Sequence, residues 1–138
     1  MSDFNAQVIE EFRANGGKVG GFFAGYDLLL LTTTGARSGR RVTTPVMYLP
    51  DGERLIVIAS NAGADHHPAW YHNLRADPEA TVEVGAEGSV ESFPVKAVEV
   101  TGAERDELYA RMAAIAPNFA EYEAKTSRRI PVLALHRL

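Results

Sequence analysis

LLLLTTTGARSGRRVTTPVMYLPDGERLIVIAS, residues 28–60, decides the fold because it reads as three consecutive strands. Leu28–Thr34, Val42–Leu49 and Glu53–Ser60 are rich in residues that fit a pleated, half-buried surface. Pro50-Asp51-Gly52 between the last two is a hairpin signal. The link between the first two is too short for the crossover that parallel strands need, so the pairing is antiparallel. Downstream, Ala80–Gly85 and Ser89–Val100 alternate apolar and polar residues, as in Thr81-Val82-Glu83-Val84, which predicts two strands with one wet face each. Ile130–His136 reads as a closing strand. Six mainly antiparallel strands predict a mainly β (α+β) fold, a small closed or partly closed barrel with helices at its periphery.

The helices follow from apolar spacing and caps. Phe4, Val8, Ile9 and Phe12 recur at helical intervals, with Ser2 as a cap and Gly16-Gly17 as the stop. Gly20, Gly21 and Gly25 flank Phe22-Phe23, a lead-in segment whose aromatics serve as core or lid. Asp65–Ala76 reads as a helix capped by Asp65, with Pro68 near its first turn and Asp77-Pro78 at its end. Thr101-x-x-Glu104 has the form of a capping box, ahead of inward-facing Leu108, Tyr109, Met112 and Ile115. Pro117 breaks that helix, and Asn118–Thr126 forms another. A chain of 138 residues predicts one domain, 1–138, of which 1–26 are the N-terminal helix and lead-in.

Composition narrows the function. The chain has no cysteine, which excludes disulfides, thiolate zinc sites and cysteine nucleophiles and fits a cytoplasmic protein. No apolar run approaches a membrane span, and the first residues lack a secretory pattern. A net charge of -4 argues against general nucleic-acid binding. His66, His67 and His72 are spaced so that they do not converge on a metal, and they read as surface or capping histidines. Neither G-x-S-x-G, a phosphate-binding P-loop nor a dinucleotide fingerprint is present.

The positive charge is local. No Asp or Glu lies between Asp27 and Asp51, yet Arg37, Arg40 and Arg41 crowd into TTTGARSGRRVTTP. Gly35 and Gly39 allow sharp turns and close backbone approach, Ser38, Thr43 and Thr44 offer hydroxyls, and arginine offers a fork for phosphate or carboxylate. The stretch is either an anion cradle or a solvated basic loop. A second segment, Ser60-Asn61-Ala62-Gly63-Ala64, exposes backbone before a helix and is suited to the polar edge of a flat ring. Trp70 reads as core; Asn73 reads as a cap or as a side chain fixing a loop through its backbone. Phe119 and Tyr122, three apart, form an aromatic wall or core.

Taken in order, the G-x-R-S-G…T-P block and the P-x-W-Y-x-N-L block, separated by one hairpin, resemble the deazaflavin-dependent nitroreductase family. These are actinobacterial-type oxidoreductases that use coenzyme F420 on a split β-barrel. The resemblance spans about Leu28 to Leu135. It implies that Arg37, Ser38 and Gly39 hold the coenzyme's phosphate and acidic tail, with Thr44 and Pro45 shaping the strand. It implies that Ser60 through Ala64 frame the deazaflavin ring, supported by Trp70 and Asn73. The family's arginine two residues before the Thr-Pro pair is Val42 here, so Arg40 or Arg41 substitutes, and Asn61 replaces a basic residue. Pocket tyrosines correspond to Met47, Ala116 and Phe119, with Tyr122 retained as the candidate proton donor.

The resemblance therefore predicts an F420-dependent oxidoreductase that reduces a small electron-poor acceptor: a quinone, an activated enone or a nitro compound. The alternatives are an FMN-binding split-barrel oxidoreductase or oxidase, or a non-catalytic carrier of the coenzyme or a fatty acid. No metal, nucleic acid or integral membrane contact is expected, and a homodimer is compatible with the fold.

Overall fold

A computed structural model describes residues 3–138. The chain runs α1 (Asp3–Ala14), β1 (Leu28–Thr34), β2 (Arg41–Asp51), β3 (Arg54–Ile58), α2 (Ala69–Ala76), β4 (Glu79–Ala86), β5 (Ser89–Val100), α3 (Gly102–Ile115), α4 (Asn118–Lys125) and β6 (Val132–Arg137). The strands close into an antiparallel barrel in the order β1-β2-β3-β6-β5-β4; the short links account for the pairing of β1 with β2, β2 with β3 and β4 with β5.

The run of four leucines that opens β1 is buried on both faces. Leu29 and Leu31 point into the barrel with Val57, Val82, Val95 and Leu135. Leu28 and Leu30 face outward and are covered by Val8, Ile9 and Phe12 of α1. The same division holds on β3 and β6, where Ile56, Ile58, Val132 and Ala134 lie under Leu108, Tyr109 and Met112 of α3. β4 and β5 are less covered outside, with Val90 and Val100 of β5 reaching the clusters under α1 and α3, so most of their outward positions are polar while β1 and β3 are apolar on both faces. Trp70, Tyr71 and Leu74 of α2 join the interior cluster.

The barrel is split between β2 and β3. Their pairing runs only from Asp51↔Arg54 to Tyr48↔Val57. Upstream of Tyr48, β2 stays paired with β1 alone, through Met47↔Leu28 to Arg41↔Thr34. Pro45 sits in this free stretch, where its missing N–H leaves no β3 partner unsatisfied.

Several expectations change in detail. The helix placed at Asp65–Ala76 begins at Ala69, with Pro68 extended at its cap. The residue before a proline is driven out of the helical region, so His67 cannot continue a turn into Pro68. Asp65 caps nothing; its carboxylate accepts a hydrogen bond from Thr126 at 3.4 Å. Thr101 heads α3 without a side-chain cap, and Glu104, the other half of the capping box, is drawn instead to Arg54 at 2.8 Å. Ile115, expected inside, is 55% exposed, since α3 ends there before Pro117. The β2–β3 turn is Gly52-Glu53, with Gly52 at φ 61°, and Pro50 belongs to β2. Ser2 lies outside the described residues, whereas Gly16 and Gly17 stop α1 at φ 64° and 92°.

Candidate active site

Where β2 and β3 part, a cavity of about 810 Å³ opens. One wall is the free edge of β2, from Thr44 through Pro45 and Val46 to Met47. The opposite wall comes from Ala116, Phe119 and Tyr122. Ser60, Asn61 and Ala62 line it from the loop after β3, and His67, Trp70 and His72 from the start of α2. Phe23 and Tyr26 of the lead-in segment complete it, so at least one lead-in aromatic serves the cavity. Trp70 belongs both to this lining and to the barrel core.

The aromatic wall is held from behind. The Tyr109 hydroxyl donates to the Phe119 carbonyl at 2.6 Å, and burial pushes that phenol up to about 12. The Tyr109, Phe119 and Tyr122 rings follow one another edge to face at 6.3 and 5.5 Å. The Tyr122 hydroxyl makes no hydrogen bond to the described protein and is not sealed from solvent.

The loop after β3 carries unusual backbone. Asn61 and Ala62 lie at φ 48° and 53°, where a non-glycine residue costs on the order of 1–3 kcal/mol. Arg128 compensates. Its guanidinium donates to the carbonyls of Ala59 (3.1 Å), Ser60 (2.8 Å) and Ala64 (3.1 Å), and to His67 Nδ1 at 2.8 Å. Asn61 Nδ2 adds a bond to the His66 carbonyl at 3.1 Å. Gly63 does not face the cavity. A Cβ there would meet the Tyr122 backbone at 3.1 Å, so the glycine permits close approach of α4. Gly63 and Ala64 stand outside the lining.

The arginine-rich loop between β1 and β2 is fixed by its backbone. Gly35 N–H donates to the Arg40 carbonyl at 2.7 Å, Gly39 N–H to Gly35 at 2.9 Å, and Arg40 N–H to Ser38 Oγ at 3.1 Å. Asn73, buried in α2, accepts from Ala36 N–H at 2.9 Å and donates to Thr33 Oγ1 at 3.1 Å. The sequence offered Asn73 as a cap or as support for the loop after β3; the loop it holds is instead the one between β1 and β2. Arg41 donates to Thr34 and Thr81 hydroxyls at 3.0 and 3.1 Å. Arg37 and Arg40 have no side-chain partner among the described residues. None of Arg37, Ser38, Gly39, Arg40, Arg41 or Asn73 lines the cavity, but Arg41 is only three positions from Thr44, roughly 10 Å of strand.

The sequence did not single out Arg128, whose four partners lie 61 to 69 residues away. Nor did it give His67 a place in the cavity. Ser127-Arg128-Arg129 carries no pattern that distinguishes one arginine from the other. Among the described residues no set of His, Asp and Glu gathers as a metal site, and no helix is long and apolar enough to cross a membrane.

The family model of the F420H(2)-dependent quinone reductases matches residues 5–137. The chain belongs to that family. An F420H(2)-dependent quinone reductase of Mycobacterium tuberculosis is 36% identical over 132 residues, covering 91% of this chain and 85% of the relative. The solved structure of an F420-H2 dependent reductase, FDR-A, is 34% identical with a TM-score of 0.70, covering 79% of this chain and 93% of that one. A further structure, described as a domain-swapped dimer, is 31% identical with a TM-score of 0.72 over 95% of both chains. The split-barrel fold is thus shared along nearly the whole chain.

Proposed function

We propose that this chain reduces quinones with coenzyme F420H2, holding the coenzyme's anionic tail on Arg37 and Arg40 and its ring in the cavity between β2 and α4. The observation that carries the reading is the pair of guanidiniums without partners among the described residues, on a loop free of carboxylates whose backbone is pinned by Asn73. Two cations left unpaired on an acidic chain suit an anionic ligand. The cavity volume lies in the range of small-molecule sites, and its walls are mostly apolar.

The coenzyme supplies the hydride; the protein supplies position, a shielded space and a proton. Ser60, Asn61 and Ala62 line one side of the cavity, and the Phe119 and Tyr122 rings, set edge to face, line another with aromatic surface. Tyr122, whose phenol makes no hydrogen bond among the described residues, is the proton donor to the reduced acceptor.

Fluorescence titration of the purified protein with F420, FMN and FAD tests the coenzyme. F420 is expected to bind most tightly, and a preference for FMN would overturn the reading in favour of a flavin enzyme. Binding of F420 without reduction of menadione would make the chain a carrier. Tyr122→Phe is expected to lower menadione turnover by up to about 10²-fold with coenzyme affinity unchanged. Parent-like turnover across the pH range would assign the proton to water.

A further inference from the structure

His67 stands on the cavity wall with its chemistry already fixed by the protein. Its Nδ1 lies 2.8 Å from Arg128 Nη1. A guanidinium has only donors, so Nδ1 must accept, and the proton of the neutral ring resides on Nε2. The ring is clamped in place, 4.6 Å from Tyr71 and 5.7 Å from His72. Tyr71 is itself anchored by a 2.6 Å hydrogen bond to Glu99. Nε2 has no hydrogen-bond partner among the described residues, and it is not among atoms sealed from solvent. A lone donor on a rigid, largely apolar wall is an unused recognition element.

We propose that the His67 Nε2–H faces the cavity and donates a hydrogen bond to a carbonyl oxygen of the ligand bound there, with Arg128 as the positioning residue that sets the tautomer. The inference rests on the functional reading above for the identity of the ligand. A quinone oxygen gains negative charge as it is reduced, so a fixed neutral donor binds the reduced state more tightly than the oxidised one. The same donor suits a ring carbonyl of the coenzyme, and the two sources share one chemistry.

The electrostatics agree with a neutral ring. Burial lowers the His67 pKa first, Arg128 and His72 lower it further, Glu99 opposes them, and Arg75 adds a smaller lowering. The folded protein therefore takes up this proton less readily than the unfolded chain. The stability it contributes is present above the ordinary histidine pKa and declines as pH falls through it.

Long-range nitrogen–proton NMR of the imidazoles reads the tautomer directly, first on the protein alone, then with oxidised F420, then with menadione added. The expected spectrum shows Nε2–H and a bare Nδ1 for His67 near pH 7.5. The Nε2–H resonance should shift on one of the two additions, and that addition identifies the oxygen. His67→Phe should weaken the ligand so identified by roughly 3- to 10-fold, and His67→Gln, which keeps a donor, should recover part of it. Arg128→Lys, which retains a donor toward Nδ1 but not the fork, should blur the tautomer signal.

His67 also borders a smaller cavity of about 220 Å³ beside Tyr71 and Glu99. An Nε2–H directed there would not respond to either ligand, and an unmoved resonance with both bound overturns the proposal. An Nδ1–H tautomer overturns it with no ligand present. Coenzyme binding is followed separately by its own fluorescence, so loss of the functional reading is distinguishable from loss of the His67 assignment.

Discussion

Two arginine-bearing regions flank the cavity and use the same side chain in opposite ways. In the loop after β3, the backbone is strained at Asn61 and Ala62 and held in shape by Arg128, whose fork is spent on three carbonyls and an imidazole. In the loop between β1 and β2, the backbone is held by its own turn and by Asn73, and the Arg37 and Arg40 forks are left over. A cation that satisfies buried carbonyls builds the protein. A cation on a loop that holds itself remains free for a ligand. Proximity to a site, or to another arginine in sequence, does not separate the two roles; the partners do.

The largest effect should come from Arg128→Ala. It removes the donor from the Ala59 and Ala64 carbonyls and leaves the Ser60 carbonyl with Gly63 N–H alone, for a loss of stability on the order of 3 kcal/mol. For a chain of this size that corresponds to a melting temperature lower by roughly 10 °C. Arg128→Lys should recover only part, because a single ammonium cannot span the same carbonyls. An alanine variant that melts within a degree or two of the parent would break the comparison at once.

The strength of that effect explains what was legible beforehand. The strands, their antiparallel pairing and a closed or partly closed barrel could be read because alternation, short links and hairpin residues are local signals; the place of β6 between β3 and β5 could not. Leu28 to Leu31 gave a strand without saying why it was apolar on both faces; α1, some twenty residues away, supplies the reason. Asn73 was legible as a cap or a loop-fixing side chain, but the loop it holds was not: it is the one 37 residues upstream at Ala36 rather than the neighbouring Ser60–Ala64 segment. Arg128 was not, because a hub is defined by contacts 61 to 69 residues away rather than by its neighbours. Gly63 was read as a ring contact because a glycine marks close approach but not the thing approached, which is α4.

The second way to test the contrast separates the three arginines of TTTGARSGRRVTTP. Arg37→Ala and Arg40→Ala should leave the melting temperature unchanged, since neither side chain has a partner among the described residues. Each should weaken coenzyme binding by roughly 1.5–3 kcal/mol at low salt, the range for a hydrogen bond to a charged group. The loss should shrink as salt shortens the screening length, because both side chains are exposed. Arg41→Ala should do least. Its fork is spent on the Thr34 and Thr81 hydroxyls, tying β1, β2 and β4 together at an exposed edge, so the cost falls on stability and stays within about 0.5 kcal/mol. That outcome would give the place of the family's arginine, Val42 here, to Arg40 and not to Arg41. Titrations of the three variants at two salt concentrations decide it: an Arg41→Ala loss of affinity equal to that of Arg40→Ala would mean that engaged and free arginines are not distinguished by their partners here.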